Sequence, residues 1–565
     1  MSTNNTGDLV TRIYANFRGV DFRGEEINIV RSPDSLNVWK DYRHTESIRT
    51  RPGLKLHTAF TEPIYGIYCD KNMMLVHSGK SLYRLENGRK YSVTSSLRAA
   101  PSNGFVYKSI WYFLDGANYF YYDKEKEVFD VVEGYVPTTS IARKPSGGGE
   151  MYEDVNMLSD WRRNTFLADG ESFDFYLDAK NIDSDAVPTV TVDGEKIVEF
   201  EVDYAAGKIS LLVAPPAPKT DGRDNVEVVF KKVVPGYRDI VMGCTMLQVF
   251  DNRVFVSGNN DHPNTVWHCS LNDPTYFADT DYYREGMDSA AIKGLVAGNN
   301  ALWVFREPSS ANTTVFYHTP AIDDEYGKIY PSAHSSITTG CVGKAINFND
   351  DIVFFSERGM EGISGDVTTE QAVAHRSSLV DRKMIAEPDY KNMILEEWEG
   401  YLFVFIGNKV YLADSRTAFT NENHIEYDWF YWHLDKKVTC TAVHDGVLYL
   451  GTDSGIYTLT DTNANIESYW TTPKDKFKNP HKLKTTSKKS CTVEAVGEEI
   501  TVYAKTNKDA DFEILGTYIN VTDAFSCRIK KKKFKDIQLK FYSTKRFALE
   551  TATLDCYIGG YLKNL

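Results

Sequence analysis

One hairpin phrase that returns seven times, a strand-favouring composition and a near absence of helical periodicity predict an all-β chain, built as a β-propeller of about seven blades. The phrase is a short strand of aromatic and β-branched residues, a tight polar turn, and a second strand that often ends in tyrosine or tryptophan. Its copies span residues 64–84, 106–123, 247–269, 295–318, 346–365, 397–414 and 442–461. A supersecondary unit repeated in this way cannot bury its apolar face alone and stacks on its neighbours, as blades do. With 35 Tyr and 30 Phe, 13% of the chain is aromatic, which suits strands. Strands from the N-terminal arm can add to the disc, so six to eight blades fit the pattern. The fold serves enzymes, binding modules and structural rings alike, so it names no activity.

The elements follow in order. Residues 1–56 do not read as a blade but as an arm that contributes strands to the propeller. It carries a strand at 9–18 and the turn signal Pro52-Gly53, and one of its strands is expected to pair with the last blade. Residues 57–168 hold the first blades. The run Gly147-Gly148-Gly149 within them reads as a loop, because it lacks the G-K-[ST] ending of a phosphate loop. Residues 169–233 alternate like short half-buried strands around Ala214-Pro215-Pro216, and read as a small inserted β-sandwich. Blades resume over 234–468, with a polar connector at 319–336 and one short helix within 377–392, interrupted by Pro388. Residues 469–565 read as a separate, basic β-sandwich.

Composition narrows the function classes. The chain has 565 residues, 42% of them hydrophobic, enough for several cores. No run of 18 apolar residues predicts a transmembrane helix, and the polar start MSTNNTGDLVTR does not read as a secretory signal. The eight cysteines form no C-x-x-C pair and read as reduced, apolar core residues of a protein made in a cytosol. Net charge is −14, spread unevenly: residues 470–565 carry 19 Lys+Arg against 11 Asp+Glu, or +8, which leaves −22 on residues 1–469. An acidic body does not clamp nucleic acid through its phosphates. It suits a surface that repels DNA, or subunits whose opposite charges meet on assembly.

Catalytic signatures are missing: there is no H-E-x-x-H, no G-x-S-x-G and no G-x-G-x-x-G opening a helix. His262, His268 and His318 lack ligand spacing, so no metal or cofactor is expected. Asp115, Asp251, Glu357, Glu397 and Asp445 are the carboxylates a propeller glycosidase could use. They fall at turns or beside inner strands, and turns favour Asp for backbone reasons. The turn at 451–455 keeps only the D-x-G half of the aspartate box of sialidase-like blades. The sharpest charge feature is Arg528-Ile529-Lys530-Lys531-Lys532-Lys533-Phe534-Lys535. Arg528, Lys530, Lys531, Lys532, Lys533 and Lys535 read as a contact for a partner protein or DNA, or as an edge strand guarded by lysines against aggregation.

Two phrases carry a resemblance. The arm residues 32–39 (SPDSLNVW), followed by 48–53 (IRTRPG), resemble the start of many tailed-bacteriophage virion proteins. Residues 270–277 (SLNDPTYF), then Gly286 and 291–295 (AIKGL), are similar to a blade signature of phage tail-nozzle proteins, the tail tubular protein B type, and of the packaged-DNA stabilisation proteins of short-tailed phages. The resemblance covers the arm and disc, and does not extend to the inserted or C-terminal domains. It implies a non-enzymatic part of the virion, made in the host cytoplasm: a ring, often of six copies, below the portal and adaptor. Such a ring lines or gates the exit channel for double-stranded DNA and docks tail fibres or other tail proteins. The alternative, from another class, is a host-surface glycan-binding or glycan-degrading propeller.

Overall fold

The computed structural model describes the whole chain except residues 1–6, 25–27, 72, 221, 312, 325–326, 364–372, 422–423, 462–464 and 562–565. The fifth repeat copy therefore has its last two residues outside the described residues. The protein is an all-β β-propeller chain with seven four-stranded antiparallel blade sheets among the described residues. It divides into two compact units, residues 1–91 with 335–565, and residues 92–334.

The blades explain the repeat. In six of the seven, the first two strands are joined by two residues that both have positive φ. Examples are Asp251-Asn252 (φ 50° and 57°) between Met246–Phe250 and Arg253–Ser257, and Asp445-Gly446 (49° and 74°) between Val438–His444 and Val447–Thr452. These are the mirror-image turns whose twist matches that of the flanking strands, and they select Asn, Asp and Gly. Second strands are buried on both faces, which is why they read as unbroken apolar runs: every residue of Met73–Ser78, Ala301–Arg306 and Tyr401–Ile406 is buried. First strands such as Ile394–Trp398 stay half-exposed.

The first unit holds four blades, the arm and the C-terminal domain. The expected pairing of the arm with the last blade is present: Gly53–Ala59 lies antiparallel to Gly455–Thr460 and completes that sheet. The rest of the arm corrects the expectation that 1–56 serves the propeller. Asp8–Tyr14, Ser35–Leu36, Val38–Trp39 and Ile48–Thr50 all join the C-terminal sheet, giving it eleven strands. Asp8–Tyr14 runs antiparallel to Phe547–Tyr561, with Leu9 opposite Tyr557. Arm, blade and C-terminal sheet share one core. Trp39 packs edge-on to Trp432 (5.3 Å), and Phe17 against Trp470 (5.1 Å). Burying a side chain such as Phe17 contributes roughly 1.5–3 kcal/mol. The C-terminal domain is thus one sheet wrapped over its core by the long strand Lys482–Thr506, which pairs with Glu513–Val521, Ile537–Ser543 and Phe547–Tyr561. The expected short helix is Asp381–Met384.

The second unit holds three blades and the insert. The insert is a six-stranded sheet over a three-stranded sheet, with Phe166, Val190 and Val228 of the first packed with Phe175 and Ile209 of the second. It begins well before residue 169. Thr138–Arg143 pairs in parallel with Trp161–Phe166, which pairs in turn with Val226–Lys231. Gly147, Gly148 and Gly149, all at positive φ, form the expected loop between the first of these strands and Glu150–Met151. The connector at 319–336 contains a hairpin, Ala321–Asp323 with Gly327–Ile329, and a fourth blade strand, Ser332–His334. A short helix that local periodicity did not announce, Tyr237–Met242, follows the insert.

Candidate functional site

The basic run lies at an edge of the C-terminal sheet. Ile529 and Phe534 are buried, and they turn Arg528, Lys530, Lys532, Lys533 and Lys535 outward. Among the described residues Lys532–Phe534 pairs only with the start of Lys482–Thr506, Thr485 standing opposite Lys532. Lys533 has φ 55° at a register shift in that pairing. Beneath the strip, fully buried Lys484 donates from Nζ to the carbonyl of Lys535 (2.8 Å); burial lowers its pKa. Lys531 differs from its neighbours: its ammonium is taken up by Asp509 (2.8 Å) and Glu513 (2.6 Å). Burial opposes its charge, but those hydrogen bonds prevail and raise its pKa. The run therefore offers Arg528 and four lysines, not the full set of six cations. Phe534 is 0% exposed and cannot stack on a base, so the strip can act only by charge, on phosphates or on acidic protein.

The carboxylates singled out in sequence take local roles. Asp251 and Asp445 occupy the positive-φ hairpin turns, and Asp251 also accepts from Tyr330 (2.7 Å) and pairs with Lys328. Asp115 accepts the backbone N–H groups of Arg98 (2.9 Å) and Asn118 (2.7 Å), closing its own turn. Glu357 is an exposed turn residue, and Glu397 a half-buried residue of Ile394–Trp398. At the 451–455 turn, Thr452 Oγ1 donates to the carbonyl of Gly455 (2.9 Å). His318 is buried, with Nε2 2.8 Å from Glu285 Oε1 and Nδ1 2.9 Å from the carbonyl of Tyr330. Burial lowers the pKa of His268 to about 4. No cluster of metal-ligating groups occurs among the described residues.

Sequence reasoning missed a polar cluster. Glu361, His375 and Asp381 lie on three elements: Gly359–Ile363, Val373–His375 and the short helix Asp381–Met384. His375 Nδ1 is 3.2 Å from Glu361, and Nε2 is 2.5 Å from Asp381. Burial disfavours the imidazolium, but the hydrogen bonds to Asp381 and Glu361 prevail and raise its pKa to about 10. The three line a cavity of about 760 Å³ with Thr338, Thr339 and Arg358. With both ring nitrogens engaged, His375 has no free site to accept a proton; it is a fixed charge joining three elements.

Both phrases behind the phage resemblance are joints. Asn37 and Arg51 are buried together: Arg51 Nε donates to Asn37 Oδ1 (2.9 Å), and so does the N–H of His433 (2.8 Å). Asn37 Nδ2 donates to the carbonyl of Glu467 (2.8 Å), and Arg51 reaches the carbonyl of His433 (3.0 Å). The clasp thus ties the arm to a blade strand and to the approach of the C-terminal sheet. In the other unit, Asn156 Nδ2 donates to the carbonyl of Thr275 (2.9 Å) and Asn156 Oδ1 accepts from the N–H of Phe277 (3.0 Å). Tyr276 Oη donates to the carbonyl of Asp154 (2.9 Å). The 270–277 phrase thereby holds residues 154–156, which lie within the insert between Glu150–Met151 and Trp161–Phe166. Gly286, at φ 75°, leaves room for the buried Arg306 guanidinium, which a Cβ there would overlap.

No family model and no curated protein matches the chain. Solved structures it is similar to include BamB from Moraxella catarrhalis (11% identity, TM-score 0.34, covering 72% of this chain and 99% of that one). Others are the Neurospora crassa Pan2 WD40 domain (8%, 0.26, 73% and 96%) and the dihydro-heme d1 dehydrogenase NirN (9%, 0.33, 86% and 78%). At identities and scores this low, the likenesses carry no argument about what this chain does.

Proposed function

We propose that this chain is a structural virion protein of a tailed bacteriophage, a tail nozzle or head-to-tail connector. Several copies, six in the simplest case, form a ring that lines or gates the DNA exit channel and docks portal, adaptor, fibre or other tail proteins. The observation that carries this reading is the role of the two phage-like phrases: both are joints, the first largely buried and the second partly so. The Asn37–Arg51 clasp locks arm, blade and C-terminal sheet together, and 270–277 locks residues 154–156 of the insert. A part that must hold its shape under the pressure of passing DNA needs such joints more than it needs a pocket. The charge pattern supports it: a body of −22 lets DNA slide without sticking, while the exposed cations of 528–535 suit an acidic neighbour. No helix among the described residues is long and apolar enough to cross a membrane. The test is negative-stain microscopy and sedimentation of the purified protein, with mass spectrometry of purified virions. Rings and virion incorporation are expected; a strictly monomeric protein absent from virions would sink the proposal.

A further inference from the structure

In the first unit, Lys383 sits in an unusual place for a lysine. Its Nζ is 3.6 Å from the ring centre of Tyr431 and 4.6 Å from that of Phe22, and the side chain is half-buried. Its neighbour Arg382 donates from Nη1 to the carbonyl of Arg23 (3.2 Å), its one hydrogen bond among the described residues. The aromatic faces attract the ammonium but accept none of its three N–H bonds in the ordinary way. No carboxylate stands within ion-pair distance of Lys383 among the described residues, and burial lowers its pKa.

The two cations open on a cavity of about 620 Å³, within the roughly 300–1,000 Å³ range of ligand sites. Its other charges are already engaged or few. Glu387 pairs with Lys409 and accepts from Tyr411 (2.9 Å), so neither is free. Asp34 accepts from Tyr469 (3.0 Å), and Lys540 lies 3.5 Å over that same tyrosine ring. Among the described lining residues positive charge is in excess, three cations to two carboxylates. A dianionic phosphate meets the repulsion of those carboxylates twice over; a monoanionic carboxylate meets it once and matches the planar fork of Arg382. Pro33, Phe22 and Ala386 give the rim apolar surface for flanking residues of a polypeptide.

We propose that this cavity binds a carboxylate of an acidic partner polypeptide, held by Lys383 and Arg382 against Tyr431 and Phe22. The assignment does not depend on the virion reading. The test uses the full chain with Lys532, Lys533 and Lys535 changed to Gln, so that the basic edge does not compete. Its lysines are ¹³C-dimethylated, and the Lys383 resonance is identified with Lys383→Arg. An acetylated tetraglutamate amide, a tetraglutamine amide and inorganic phosphate are the probes. The tetraglutamate is expected to move the Lys383 resonance and the tetraglutamine to leave it in place. Lys383→Gln with Arg382→Gln is expected to weaken tetraglutamate binding at least about tenfold, the loss of one charge-assisted hydrogen bond. A Lys383 resonance unmoved at saturating peptide, or unchanged affinity in the double variant, overturns the site. A response to phosphate as strong as that to tetraglutamate overturns the choice of carboxylate.

Discussion

Replacing Asn37 by alanine tests the clasp that carries the functional proposal. Asn37 is 5% exposed, has φ 55°, and makes three side-chain hydrogen bonds, accepting from Arg51 and His433 and donating to Glu467. Alanine leaves two donors buried without acceptors: the Arg51 Nε–H and the His433 N–H. Each such group costs about 1–3 kcal/mol, and an alanine in the left-handed region adds about 1–2 kcal/mol. The expected destabilisation is therefore about 3–8 kcal/mol. Two further variants separate the terms. Asn37→Gly removes the backbone strain, so it should be milder than alanine by about 1 kcal/mol. Asn37→Asp keeps the acceptor and faces Arg51, whose pKa burial has pushed down to about 10, with a carboxylate; it loses only the donor to Glu467 and should be the mildest. Urea unfolding followed by tryptophan fluorescence gives the free energies, since Trp39, Trp432 and Trp470 lie in the core that the clasp closes. Hydrogen exchange of the Arg51 amide, which donates to the Asn37 carbonyl (2.8 Å), localises the effect. Alanine and glycine variants both within about 0.5 kcal/mol of wild type, or an aspartate variant worse than alanine, would refute the reasoning.

The cluster at His375 predicts a pH dependence. Its folded pKa of about 10 lies above its ordinary 6.5, so its stabilising contribution is complete below about pH 6.5 and is lost as pH rises through about 10. The stability gap between wild type and His375→Gln should shrink over that window, and the imidazole carbon shifts of His375 should stay those of an imidazolium at pH 8. Gly286→Ala should destabilise the second unit by about 2–4 kcal/mol, from left-handed strain and a displaced buried guanidinium; calorimetry of the variant checks this. Changing Lys532, Lys533 and Lys535 together to Glu should alter stability by less than about 0.5 kcal/mol, because all three are exposed. On the proposed ring, sedimentation at rising salt should show salt-dependent assembly in the wild type that the same change abolishes.

What was legible in the sequence was what neighbours along the chain decide. Each blade's first strands and its Asn-, Asp- or Gly-bearing turn form a local hairpin, so alternation and turn chemistry announce them. The same turn chemistry explains why Asp251 and Asp445 stood among the candidate carboxylates: both occupy positive-φ turns that select Asp. The outermost blade strands were less legible; Ser332–His334 reaches its partner only past an intervening hairpin. The basic run was plain as composition, but composition could not say that Lys531 is held by Asp509 and Glu513, or that Phe534 faces inward.

The sequence by itself determined an all-β chain, the repeated blade unit, the presence of an arm, an insert and a basic terminal domain, and the residues of two marked phrases. Only the tertiary structure decided where the arm goes, where the insert begins and which side chains meet. Asp8–Tyr14 finds its partner in Phe547–Tyr561, at the other end of the chain, and Trp161–Phe166 is fixed by Val226–Lys231. Glu361, His375 and Asp381, like Lys383 with Tyr431 and Phe22, come together from separate elements. Hairpins are written in adjacent residues because short loops cost little entropy to close. Distant pairings are chosen by burial and hydrogen bonding summed over the whole fold, and no short stretch of sequence carries that sum.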